Sequence, residues 1–282
     1  MGYGIIVDSC CELPAELAED GRIRIVPFGL QVGNWHVRDD ETFDQAEFLK
    51  KVAAYDGVAK SACPSPDAFL EACEALAAQG AEDLYIVTIS SHLSGCYNSA
   101  QLGRSLYIEK YGETNIAVID SESASGGETN TALRILQEAE AGRPFAEVVK
   151  SAEAFRDAQK TYFVLDNLET LKKNGRLTGV KALLASTLSI KPVMGSHKGE
   201  IIMKSQAIGI KKALMRMAEY IVAEAVHPEK RTLVITHCNC RERAERVRQM
   251  VEAKVQFARV IVMDTKGLSS LYANDGGVIV AV

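Results

Sequence analysis

The stretch LYIVTISSHLSGCYNSA, residues 84–100, decides how the chain folds. An apolar run at 84–89 has the length of a buried strand, and it stops at a serine-rich loop leading into a helix that starts near Ser94 or Gly95. A strand passing directly into a helix is the repeating unit of a parallel α/β sheet, whose ligand crevices lie beyond the carboxyl ends of its strands. The loop is also rich in chemistry, because Ser90, Ser91, His92, Ser94, Gly95 and Ser99 fall within ten positions. Three readings compete for them: an anion cradle at a helix start, a catalytic serine, and an ordinary helix cap made by Ser94.

Working outward, apolar runs at 5–7, 25–28 and 116–119 repeat the short buried strand, and helical patterns lie between them. Phe69, Leu70, Cys73, Leu76 and Ala77 recur on one helix face, with Ser65 as N-cap, Pro66 in the first turn and Gly80 at the stop. Phe145, Val148, Val149, Ala152 and Phe155 form a second stripe. Gly126-Gly127 reads as a flexible loop after the run at 116–120. These features predict a largely parallel α/β domain over residues 1–158.

The pattern changes beyond that point. Runs at 161–165, 190–193, 201–204, 233–237, 260–263 and 278–282 are strand candidates, whereas only two or three helices separate them. The clearest helix carries Ile210, Leu214, Met217, Ile221 and Ala225 at helical spacing. Six strands with so few helices predict a second domain over 159–282, an α+β layer with a mixed sheet and helices on one side. A chain of 282 residues is long enough for two such cores.

Charge excludes some functions. With 32 basic and 37 acidic side chains the chain has no basic stripe for nucleic acid, and the arginine-rich run at 241–248 is interleaved with Glu242 and Glu245 as on a solvated helix face. No 18-residue apolar segment and no secretory leader are visible, so a cytoplasmic protein without stable membrane insertion is expected. The seven cysteines lack the spacing of a disulfide framework and read as reduced thiols. His237-Cys238-Asn239-Cys240 offers half of a metal site or, more simply, the end of a core strand; no second ligand pair is visible and no metal or cofactor is expected.

Other segments repeat the chemistry of residues 89–100. In SACPSPDAF, 61–69, Ser61 precedes a proline-flanked turn and a capped helix, and DSCCELP, 8–14, carries an apolar strand into Asp8 and Ser9. In FVLDNLETLKKNGRLTG, 163–179, a helix stop at Asn174-Gly175 is followed by Arg176, expected at the surface. Together IIVDSCCELP, SACPSP, SSHLSGCYNSA, IDSESASGG, FVLDNLETLKKNGRL and LSIKPVM, in that order, resemble the DegV family of two-domain bacterial proteins that bind a long-chain fatty acid and include the binding subunits of fatty acid kinase.

The resemblance implies a non-catalytic carrier. Ser61 and Ser94 occupy the places of the two hydroxyls that hold the fatty-acid carboxylate in the family, together with backbone amides near Gly95 and Cys96. Tyr272 and Asn274 stand where the family has head-group neighbours, and Arg176 matches the arginine associated with docking to the kinase subunit. Palmitate, stearate or oleate is the kind of ligand implied, with an ATP-dependent kinase making the acyl phosphate and an acyltransferase as a further partner. The chain departs from the family pattern at Ala62, Cys63, Cys96 and Asn174, and SSLYANDGG replaces a histidine-containing segment. A thiol is a weaker donor than a hydroxyl, so Cys96 removes one strong head-group bond or leaves it to an amide.

Physical chemistry is consistent with that implication. Burying roughly 14 methylenes at about 0.8 kcal/mol each gives on the order of 11 kcal/mol before immobilisation costs, so the tail supplies affinity and the head group needs only its desolvation offset. Uncharged donors at a helix start can do this. The rival classes are a serine hydrolase or acyl-transfer enzyme using Ser94 with a histidine such as His92, and a nucleotide-binding α/β domain. The first lacks G-x-S-x-G, and the second lacks both G-x-G-x-x-G and a Walker lysine.

Overall fold

The computed structural model describes residues 2–177, 180 and 189–282; Thr178, Gly179 and Leu188, at the ends of two quoted motifs, lie outside the described residues. The first half runs β1 (Tyr3–Asp8), α1 (Ala15–Ala18), β2 (Ile23–Val26), β3 (Gly29–Val32), β4 (Trp35–Arg38), α2 (Gln45–Ala53), β5 (Lys60–Ala62), α3 (Pro66–Ala78), β6 (Asp83–Thr88), α4 (Cys96–Tyr111), β7 (Asn115–Asp120), α5 (Gly126–Glu140) and α6 (Phe145–Ala158). The second runs β8 (Thr161–Val164), α7 (Glu169–Lys173), β9 (Ile190–His197), β10 (Glu200–Ile208), α8 (Ile210–Glu224), β11 (Thr232–His237), α9 (Arg241–Glu252), β12 (Arg259–Asp264), α10 (Gly267–Ala273) and β13 (Val278–Ala281).

Strands β2-β1-β6-β7 form a four-stranded sheet in that order, with every pair parallel. Strand periodicity sends alternate residues to opposite faces. Ile6, Leu84, Ile86 and Ile116 pack with Phe69, Cys73 and Leu76 of α3 and Ala100 and Tyr107 of α4. Ile5, Val7, Tyr85, Val87 and Ile119 pack with Ile135 of α5 and Val148 and Ala152 of α6. The central strands β1 and β6 therefore read as apolar runs because both their faces are buried, whereas the edge strand β2 leaves Ile25 exposed. Ser65 caps α3 by accepting the Ala68 N–H at 3.3 Å, Pro66 opens the helix, and Gly80 follows its end at φ +88°.

The second half carries the mixed sheet expected of an α+β layer, ordered β10-β9-β8-β13-β11-β12. Only β11 and β12 run parallel. Tyr162, Val164, Val278 and Val280 face α8 and α9 through Leu214, Met217, Ile221 and Val247. The arginine-rich run is a helix face on α9, and Arg241–Glu245, Arg246–Glu242 and Arg248–Glu252 pairs neutralise it. His237 ends β11, and its Nδ1 accepts the Cys240 N–H at 3.4 Å. Among the described residues no helix is long and apolar enough to cross a membrane.

Three features differ from the expectations. The run at 25–28 is strand only to Val26, because Pro27 has no N–H to give a ladder. A three-stranded antiparallel sheet, β4-β3-β5, was not expected; its β3–β4 turn is Val32-Gly33-Asn34-Trp35, with Gly33 at φ +60°. Gly126-Gly127 is not a loop but the buried first turn of α5. A Cβ on Gly126 would lie 2.8 Å from Cγ1 of Val234 on β11, so glycine there lets the helix sit against the second sheet as well as the first. Helices thus cover both faces of part of the mixed sheet, α5 lying opposite α8 and α9.

Candidate functional site

Between the two main sheets lies a cavity of about 840 Å³ of atom-free space, its mouth included. Its walls follow from strand alternation. Thr161, Phe163 and Leu165 are successive same-side residues at β8, Ile279 pairs with Phe163 in the register, and all four line the cavity while Tyr162 and Val164 point to the opposite core. Phe28, Ile89, Leu93, Leu171, Ile201 and Leu268 complete an apolar lining. The tip of the β9–β10 hairpin is held against the N-terminal loops by Ser90 Oγ, which donates to the Gly199 carbonyl at 2.9 Å.

Polar groups reach the cavity from separate elements. Ser61 on β5, Ser94 before α4, Tyr272 on α10 and Arg176 after α7 all line this cavity. Ser61 Oγ and Tyr272 Oη are 3.0 Å apart, and the Arg176 guanidinium stands 6.0 Å from the Tyr272 ring centroid. Gly95 is the N-cap of α4, and Ser94 Oγ accepts the Cys96 N–H at 3.2 Å. Ser94, one residue outside the cap, thus braces the first turn of its helix and still borders the cavity with a hydroxyl that can donate. The first turn of α4 adds backbone N–H groups that have no intrahelical acceptor.

Arg176 is half-buried, not displayed at the surface as expected. The cause is the way α7 ends. Gly175 at φ +73° carries a Schellman turn, in which the Arg176 N–H donates to the Leu171 carbonyl at 2.8 Å and the Gly175 N–H to the Lys172 carbonyl at 3.0 Å. The turn points the arginine inward, where Nε donates to the Leu93 carbonyl at 3.1 Å and Nη1 to the Asn174 carbonyl. Asn174 in turn donates to the Ala59 carbonyl at 3.1 Å, fastening this loop beside the Ser61 strand.

Three residues singled out from sequence do not line the cavity: Gly95, exposed at the start of α4, Cys96 and Asn274. Cys96 is fully buried and its thiol donates to Asp8 Oδ2 at 3.2 Å, so its sulfur serves Asp8 and not the cavity. Asn274 accepts from Thr170 Oγ1 at 2.9 Å and donates to the Tyr272 carbonyl at 3.2 Å, bracing α10 against α7 without lining the cavity. His92 is directed to Glu200, with Nδ1 3.4 Å from Oε1. Among the described residues no histidine has a hydrogen bond to Ser94.

Behind the Ser94 turn is a group of buried acids that sequence reasoning missed, apart from Asp8. Asp8, Glu12, Asp39 and Glu128 are each at most 2% exposed. Asp8 accepts from the Cys10 N–H at 2.9 Å and the Ile89 N–H at 2.8 Å, yet burial still pushes its carboxyl up to about 6. Burial likewise moves Glu12 up to about 7 and Glu128 well above the carboxylate range. Asp39 is tied by the Gly267 and Leu268 N–H groups at 2.6 and 2.7 Å, which seats α10 and with it Tyr272. The one sequence cue for Glu128 is the polar run ETNT at the start of a helix, which reads as a solvated turn until α5 is seen to lie between two sheets.

Comparison with known proteins agrees with this architecture. The family model described as "Uncharacterised protein, DegV family" matches residues 3–281. A DegV domain-containing protein of Streptococcus pneumoniae is 33% identical over 99% of this chain and 98% of its own length. A DegV family protein of Ruminococcus gnavus, solved with vaccenic acid, superposes with a TM-score of 0.94 at 46% identity, covering 99% of both chains. The fatty acid kinase (Fak) B3 protein of Streptococcus pneumoniae, loaded with linoleic acid, gives 0.89 at 31% identity, covering 100% of this chain and 99% of that one. Matched from its first strand to its last, in sequence and in fold, the chain belongs to the DegV family.

Proposed function

We propose that this protein is a non-catalytic carrier of a long-chain fatty acid such as palmitate, stearate or oleate. The acyl chain occupies the cavity against Phe163, Leu165 and Ile279, and the Ser61 and Ser94 hydroxyls with the backbone N–H groups of Gly95 and Cys96 hold the carboxylate. Residues 1–158 contribute most of these head-group turns, and 159–282 closes the tunnel. The observation that carries the reading is one mainly apolar cavity whose wall includes the Ser61 and Ser94 hydroxyls from separate elements, beside those of Ser123, Thr161, Ser196, Ser269 and Tyr272. Relatives with the same fold that hold vaccenic or linoleic acid support it.

The rest of the proposal concerns what happens to the ligand. The carboxylate is presented to an ATP-dependent kinase subunit, which forms the acyl phosphate, and the product passes to an acyltransferase. Arg176 docks that kinase: it stands among the head-group residues on a rigid turn, with guanidinium N–H groups beyond those bonded to Leu93 and Asn174. The name of the Streptococcus pneumoniae Fak B3 protein supports a kinase partnership. The protein works in the cytoplasm.

Denaturing extraction and mass spectrometry of the purified protein test the binding step. About one long-chain fatty acid per chain is expected; a cavity without any acyl chain overturns the reading. Arg176→Ala should retain that lipid and lose phosphorylation by the kinase, and unchanged coupling would remove the docking role. Stoichiometric labelling of Ser94 by a serine-reactive phosphonate would instead favour hydrolysis, a reading weakened by the pairing of His92 with Glu200.

A further inference from the structure

The buried acids behind the Ser94 turn present a problem of charge and hydrogen bonding. Glu128 is fully buried on α5, and neither of its carboxyl oxygens has a hydrogen-bond partner among the described residues. The Asp8 N–H lies close enough to pull on it electrostatically without reaching hydrogen-bond geometry. Protonating Glu128 would remove its charge but would still leave a hydroxyl and a carbonyl without partners, a costly arrangement in a dry interior. One carboxylate oxygen of Glu128, one of Asp8 and the Cys10 sulfur all lie within 4.8 Å of one another. Two metal–ligand bonds of about 2.0–2.3 Å nearly span that distance.

From this geometry we infer that Asp8, Cys10 and Glu128 form a binding site for a divalent transition-metal cation of the zinc class. The surroundings fit that role. Asp8 Oδ2 already accepts the Ile89 N–H and the Cys96 thiol, whereas Oδ1 accepts only the Cys10 N–H, which leaves a lone pair on Oδ1 for a cation. The same contacts fix the carboxylate's orientation from behind, as the outer partners of metal ligands do. Cys10 Sγ accepts the Ser125 N–H at 3.3 Å, which orients the sulfur, while burial and the neighbouring acids push its thiol well up, so the cation itself must displace that proton. A sulfur beside two carboxylates selects a borderline cation over magnesium or calcium, which take oxygen ligands. Cys10 also lines the lipid cavity, and the cavity is the route by which the ion reaches the cluster. Binding displaces the thiol proton of Cys10 and the carboxyl proton of Glu128 to solvent, and the cation's two charges offset two of the three anionic ligands.

Cobalt(II) titration of the full chain, stripped with chelator under reducing conditions, tests the site directly. One equivalent should produce thiolate-to-cobalt charge-transfer absorption. Cys10→Ser should abolish the band, the isosteric Glu128→Gln should weaken cobalt binding by about tenfold or more, and exposed Cys63→Ser should leave both unchanged. Zinc(II) should raise the melting temperature of the wild type and not that of Glu128→Gln, a readout that survives if Cys10→Ser does not fold. A band that persists in Cys10→Ser would move the metal to Cys238 and Cys240 and overturn the assignment. No band, no zinc-dependent shift and a folded Glu128→Gln more stable than wild type would mean that the acids hold protons, which overturns it equally.

Discussion

The parallel sheet is sandwiched between α3 and α4 on one face and α5 and α6 on the other, whereas the mixed sheet is fully helix-covered on one face only. Across its other face α5 packs on β11 and β13, and residues of β8, β9, β10 and β13 border the cavity. A parallel sheet needs both faces buried because its crossovers place helices there, while antiparallel pairing leaves a face free to meet something else. In the proposed function that something is the acyl chain, which completes a layer the polypeptide does not supply. The parallel sheet contributes what it is suited to, a helix start and short polar turns at the ends of its strands.

This contrast can be broken most severely from the helix-covered side of the mixed sheet. Met217→Ala empties a fully buried position on α8 and should lower stability by about 4 kcal/mol in urea melts, with the lipid content of the folded fraction unchanged. If instead it drained the lipid at full stability, the two faces would not be independent. Next in size, Ser61→Ala combined with Ser94→Ala removes two hydroxyls that face a charged group in the proposed complex. A loss of about 3 kcal/mol, roughly a hundredfold in fatty-acid affinity by competition with a fluorescent lipid, is expected, with stability lowered only by about 1–2 kcal/mol for the lost Ser94–Cys96 and Ser61–Tyr272 bonds.

The seam between the sheets gives a smaller effect. Gly126→Ala pushes a methyl group to 2.8 Å from Val234 and should cost about 2 kcal/mol by overpacking, read as a lower melting temperature. Smallest, Ser65→Ala deletes the cap of α3, far from the mixed sheet; about 1 kcal/mol should be lost, again without an effect on lipid. A change in lipid affinity from this last variant would show that the parallel sheet does more than present its turns.

Legibility in the sequence followed the same division. Apolar runs at 84–89 and 233–237 announced β6 and β11 because strand burial is written into consecutive residues. The cap and stop of α3 were legible because capping is local chemistry. Ser61, Ser94, Tyr272 and Arg176 could be placed by resemblance, and they meet at one cavity. What stayed hidden depends on tertiary packing. Nothing local separates Phe163, which lines the cavity, from Tyr162, which fills the core beside it. The inward turn of Arg176 and the diversion of the Cys96 thiol to Asp8 likewise rest on partners far away in the chain. The short β3–β4 hairpin was missed although Gly33-Asn34 is a turn signal, since its strands of four residues alternate too briefly to stand out.

Helix α5 has one last implication. It is bolted to both halves at once, through Ile135 in the first core and through bonds from Ser125 to Thr236 and from Asn130 to the Thr232 carbonyl on β11. Two rigid bodies that share a beam cannot swing apart like jaws without fracturing it. In the proposed function, cargo exchange then relies on small peripheral pieces giving way, such as the hairpin tip that Ser90 clasps, while the frame stays put.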